Sequence, residues 1–186
     1  IGIFISGCAS VNTTTPESLT TRELIETLRH ERIEQLYYDK FPANVKELMV
    51  RSNIVLDLSD AYTRGGDDLY RFNILVILNH RAVISDSEKT AISQCMDQAL
   101  NDPSPWARTE AVWGLGILGA VQSIPKVIQL LDDPDQRVVN ESILTLAKIA
   151  GIRNLPISNQ NMAEAQRQEA IMFWKDWWEK VKPKSR

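Results

Sequence analysis

Two cysteines, two histidines and five tryptophans are the side chains of this sequence with most to offer chemically. The histidines stand at 30 and 80 and the cysteines at 8 and 95, each alone. A zinc site needs several ligands at short fixed intervals, and this scatter supplies none. His30-Glu31 lacks the second histidine of a zinc-protease helix. Gly114-Leu115-Gly116-Ile117-Leu118-Gly119 has the spacing of a dinucleotide-binding loop. That chemistry requires a strand before the glycines and a second strand ending in an acid beyond them. Here a capped helix comes first, and 12 residues between Gly119 and Asp132 leave no room for both a helix and a strand. The glycines read instead as places where paired helices approach and end. Cys95, among Ile92, Met96 and Ala99, reads as a buried small hydrophobe. No nucleophile elbow or phosphate-binding glycine loop with lysine occurs. The expectation is a non-catalytic protein with no metal and no cofactor.

Cys8 is different because of what surrounds it. The chain opens Ile1-Gly2-Ile3-Phe4-Ile5-Ser6-Gly7-Cys8, an apolar run passing into small residues, as a secretory signal ends. Ile5-Ser6-Gly7-Cys8 resembles the lipobox of bacterial lipoproteins. That resemblance implies cleavage before Cys8, acylation of its thiol and amino group, and a membrane anchor. Residues 1–7 are then the end of a signal peptide, and 8–19 a lipidated cysteine with a polar tether. Ala9 is not the aspartate that retains such proteins at an inner membrane. In a two-membrane cell the resemblance therefore implies the outer membrane, facing the periplasm. The competing reading makes 1–8 a buried strand ending in an inert cysteine, although nothing later in the chain reads as its partner strand.

Trp174, Trp177 and Trp178 fall on one helix face with Ile171 one turn earlier. They read as an apolar cover for an open end of the fold, or as an aromatic anchor for a partner or membrane. A tail containing Lys182, Lys184 and Arg186 follows, and 153–186 carries seven basic against four acidic residues.

The elements that would position these groups are helical throughout. Thr20-x-x-Glu23 and Ser85-x-x-Glu88 are capping boxes. Apolar residues keep helical spacing from Leu24 to Phe41 and from Val45 to Tyr62, so 20–64 reads as an N-terminal helical hairpin ended by Gly65-Gly66. The stretch around Leu69–Leu78 is apolar on nearly every side, as in a helix buried between neighbours. Ser104 and Ser123 are candidate N-caps, and Gly119 and Gly151 candidate helix ends. No run alternates with period two.

Shifted by 31 residues, the chain matches itself: Gln98 on Gln129, Leu100 on Leu131, Asp102 on Asp133, Pro103 on Pro134, Glu110 on Glu141, Leu115 on Leu146. A fixed offset across two turns and two helices marks a repeat array. Asp102-Pro103 … Ala111-x-x-Gly114-Leu115-Gly116-x-Leu118-Gly119 … Ser123-Ile124-Pro125 resembles HEAT repeats of the phycobilisome-lyase type. The resemblance implies an all-α fold, a short α-solenoid of HEAT-like helix pairs over 67–181 with preceding helices and a C-terminal capping helix, and a basic tail at 182–186. It makes Leu115, Leu118, Ile128, Leu131, Leu146 and Ile149 core residues and Asp102 and Asp133 turn-fixing ones. Arg108, Thr109, Arg137 and Asn140 are expected on exposed helix faces.

The 186 residues carry a formal charge of −3, so no basic field exists to hold nucleic acid, and 44% hydrophobic content excludes a disordered chain. The function expected is a protein–protein interaction scaffold in the cell envelope, anchored through lipid on Cys8. The alternative is a cytoplasmic accessory protein of a lyase or other enzyme system.

Overall fold

The structure is a computed structural model that describes residues 15–33, 40–52, 54–81, 85–152 and 162–183. The described residues form nine α-helices and no strand: α1 (Thr21–Thr27), α2 (Ala43–Val50), α3 (Ile54–Arg64), α4 (Asp68–Asn79), α5 (Asp86–Ala99), α6 (Pro105–Leu118), α7 (Ile124–Gln129), α8 (Gln136–Ala150) and α9 (Glu164–Val181). This is the expected all-α, solenoid-like architecture. Helix α6 lies between α4 and α8, forming one layer. Helix α5 packs on α3 and α6, and α7 on α8 and α9, forming the other. One apolar core runs between the layers from Leu24 to Trp174. No helix among the described residues is long and apolar enough to cross a membrane.

The N-terminal part departs from the expected hairpin. Among the described residues of 20–64 stand three helices, not two. The capping box at Thr20 forms, but α1 stops at Thr27, and Leu28 and Ile33 are buried from beyond its end. Arg51 turns extended after α2, and its guanidinium donates to the Leu19 carbonyl at 2.7 Å and to Thr21 Oγ1 at 3.2 Å. The apolar period survives this break because α2 and α3 both line the core.

Both predicted helix ends are present. Gly119 (φ +62°) and Gly151 (φ +69°) adopt the left-handed conformation that a side chain would resist. Behind each glycine the next amide bonds back into the helix, Ala120 to the Leu115 carbonyl and Ile152 to that of Ala147, both at 3.0 Å. The Ser85 capping box also forms. Ser104 and Ser123 make no side-chain cap. Ser123 Oγ donates instead to Asp97 at 2.7 Å, tying the α6–α7 connection to α5.

Two Asp-Pro turns hold the array in register. Asp102 Oδ1 accepts from the Ser104 amide, and Asp133 Oδ1 from the Asp135 amide, each at 2.8 Å. Each carboxylate is also gripped through both oxygens by an arginine: Asp102 by Arg71 of α4 at 2.8 and 2.9 Å, Asp133 by Arg108 of α6 at 2.8 Å twice. The first helix of each pair thus clamps the turn that closes the pair. Tyr62 of α3 adds a bond to Asp102 at 2.6 Å. Burial pushes the Asp102 carboxyl up, but Arg71, Tyr62 and the Ser104 amide outweigh it and hold the group below the usual carboxylate range. Arg108 is therefore an architectural residue, not the exposed contact position expected of it. Asp102→Ala should cost about 2–4 kcal/mol, because the half-buried Arg71 guanidinium keeps only the exposed Asp68 as counter-ion and the buried Tyr62 hydroxyl loses its acceptor. Asp133→Ala, which orphans no tyrosine, should cost less. Urea unfolding of the two variants, followed by circular dichroism, checks the order.

Candidate partner-binding surface

Glycine sets how closely α6 meets its neighbours. A Cβ on Gly114 would lie 2.2 Å from Asn79 Oδ1 of α4, and one on Gly116 would lie 2.9 Å from Thr145 Oγ1 of α8. Both glycines sit inside α6, where a dinucleotide loop would need them before a helix. The close approach brings polar groups into the seam. Asn79 Nδ2 donates to Glu110 Oε1 at 2.9 Å and to the Glu110 carbonyl at 3.0 Å. Thr145 Oγ1 donates to the Val112 carbonyl at 3.2 Å and reaches Glu141 Oε1 at 3.4 Å. Asn79, Glu110 and Glu141 stand at successive 31-residue steps, so the repeat threads a polar ladder through α4, α6 and α8. Burial pushes the Glu110 carboxyl up to about 7, with the Asn79 bond opposing and the Glu141 charge adding.

The outer face of α6 carries exposed aromatic side chains. Trp106, Trp113 and Ile117 are 49%, 36% and 42% exposed. Their spacing of i, i+7, i+11 puts them in one row along three turns. Arg137 of α8 lies over the Trp106 ring at 3.9 Å, a cation–π contact. Trp113 meets the His80 ring at 5.7 Å, and His80 in turn meets Phe41 at 5.5 Å. Beside the row, Leu144 is partly buried and Lys148 exposed on α8. These occupy the positions of Trp113 and Ile117 one repeat later. Arg137 is exposed, as expected, and Asn140 is not: it is buried and accepts from Arg167 of α9 at 3.2 Å.

The tryptophans singled out at the C-terminus divide. Trp174 is fully buried, with Phe173 and Trp177 packed edge-on at 5.2 and 5.3 Å. It closes the end of the core and is not available to a partner. Trp177 and Trp178 are partly buried against the same core. Cys8 and the tether residues up to 14 lie outside the described residues, as do residues 153–161 and Lys184 and Arg186 of the tail. Cys95 is buried, and burial raises its thiol to about 11. Among the described residues no group of histidine, cysteine and carboxylates could hold a metal. Grooves on the surface are shallow and mixed in character; one of about 360 Å³ lies between α5 and the α6–α7 turn.

A family model for HEAT repeats matches residues 88–169, from the first turn of α5 into α9. No curated protein and no solved structure matches the chain.

Two outcomes follow from this geometry. Glu110 holds its proton more tightly folded than unfolded, so its contribution to stability falls as pH rises from about 4.5 to about 7. Glu110→Gln, which keeps an acceptor for Asn79, should gain on the order of 2–3 kcal/mol above pH 8 and nothing near pH 4.5. Urea titrations at the two pH values measure this. Trp174→Ala should cost about 3–5 kcal/mol by leaving a cavity, whereas Trp113→Ala, which removes a half-buried ring and its His80 contact, should cost less, about 1–2 kcal/mol. Thermal melts of the pair separate the cover from the surface residue.

Proposed function

We propose that this HEAT-like repeat protein is a non-catalytic scaffold that binds another protein through the α6–α8 face and is held to a membrane by lipid on Cys8. HEAT repeats commonly mediate protein–protein interaction. The observation that carries the binding part is the exposed row Trp106, Trp113 and Ile117 on one helix. Tryptophan is costly to leave in water and is enriched where interfaces form. The buried polar groups nearby have structural work that accounts for them: Asp102 and Asp133 fix turns, and Glu110 bonds Asn79 across the seam. The anchoring part rests on Ile5-Ser6-Gly7-Cys8 and the polar residues that follow. Two or more acyl chains would give stable attachment, because each buried CH₂ adds about 0.8 kcal/mol. In a two-membrane cell, a lipoprotein with Ala9 after the cysteine belongs, in this reading, to the periplasmic face of the outer membrane.

Metabolic labelling of the source cells with an alkyne fatty acid tests the anchor. The wild-type chain should label and sediment with membranes, and Cys8→Ser should do neither. An unlabelled, soluble wild-type chain would remove the envelope reading and leave the cytoplasmic accessory of a lyase-type system, to which the phycobilisome-lyase kind of repeat points. Gentle detergent extraction followed by size exclusion tests the scaffold. The chain should elute in a complex well above its own 21.1 kDa, and elution alone would sink the scaffold.

A further inference from the structure

The surface of α6 and α8 has a charge pattern unlike that of the chain. The whole sequence is acidic, at −3. Helix α6 contains one carboxylate, Glu110, and α8 one, Glu141. Glu110 is bonded to Asn79 in the seam, and Glu141 is buried. Neither helix therefore offers an exposed acid. What they offer is an apolar row, Trp106, Trp113 and Ile117, beside a second row, Arg137, Leu144 and Lys148, at the same three register positions one repeat on. Arg137 shares its charge with Asp135 at 2.7 Å and with the Trp106 ring. Lys148 is exposed and enters no ion pair among the described residues.

Resting on the scaffold reading, we infer that the furrow between these rows docks an acidic amphipathic helix of a partner protein, its apolar stripe on Trp106, Trp113 and Ile117 and its acidic flank on Arg137 and Lys148. Several features select this occupant. Helices α6 and α8 pack side by side, and the ridges of a third helix can seat between the outward rows of two such neighbours. The row from 106 to 117 spans about 16 Å of helix, enough to face three turns of a partner. No strand edge exists among the described residues, so main-chain pairing has no template and side-chain packing must supply the contact. Cations beside a row of exposed aromatics, with no carboxylate exposed on either helix, favour a negative partner and disfavour a positive one. The flat, half-buried tryptophans suit a packed helix better than insertion among lipid tails.

The test is photo-crosslinking in the source cells. A benzophenone amino acid replaces Ile117 in the full-length chain, with a second probe at Phe173 on the exposed side of α9 as the comparison. The expected result is an adduct from position 117 to a protein segment of net negative charge whose apolar residues recur at three- and four-residue steps. Arg137→Glu combined with Lys148→Glu should lower that adduct at least tenfold in a chain that still unfolds cooperatively, and Lys148→Glu alone, which breaks no ion pair among the described residues, should lower it in the same direction. Adducts from 117 to lipid, to a second copy of this chain, or to a neutral or basic segment would each overturn the inference. Adducts from 173 alone would overturn it together with the α6–α8 placement of the binding face, leaving only the scaffold role itself. Adducts from neither position would count against both.

Discussion

The arginine–aspartate clamp at each Asp-Pro turn is the constraint on which the array depends. Stacked helix pairs have one-dimensional freedom: each pair can slide or tilt on the next while still covering apolar surface. Hydrophobic packing alone penalises such motion weakly, because it is not directional. A guanidinium held through two nitrogens by a buried carboxylate is directional. Arg71 fixes where the turn at Asp102 sits relative to α4, and Arg108 fixes the turn at Asp133 relative to α6. Because Asp102 also accepts from the Ser104 amide, the same oxygen that closes one pair sets the start of α6. Register is thus passed from pair to pair through carboxylates.

The seam between the first helices is a second, weaker specification. Gly114 and Gly116 allow Asn79 and Thr145 to press against α6, and these polar side chains bond across it. Those bonds oppose slippage that apolar contacts would tolerate. The cost is a partly buried carboxyl at Glu110 that prefers its proton. The C-terminal end is finished differently. Trp174 fills the last gap in the core, and Arg167 of α9 covers Asn140 of α8.

Features set by local chemistry were legible from the residues. The capping boxes at Thr20 and Ser85 and the left-handed glycines at 119 and 151 depend on a few adjacent positions. The repeat was legible because Asp102 and Asp133 recur at one offset. The clamps were not, because Arg71 stands 31 residues before its aspartate and Arg108 only 25 before its own. No fixed shift superposes the two arginines. The end of α1 and the break after α2 were missed because apolar spacing continued through them to serve the same core. At the C-terminus an i, i+3, i+4 pattern shows that three tryptophans share a face, but not that Trp174 faces inward. The row at 106, 113 and 117 was available in principle. It lies opposite Ala107, Ala111 and Leu115, which are fully buried.

Cys95 gives the molecule a property of another kind. Its sulfur lies on α5, buried, with the Ser59 hydroxyl of α3 beside it, and burial keeps its proton on well past neutral pH. A thiol so held is slow to meet oxidants or alkylating agents while α3 and α5 stay together. Its rate of modification is then governed by how often those two helices part. The chain carries a built-in clock for the parting of α3 and α5, readable at a native residue with no cysteine introduced.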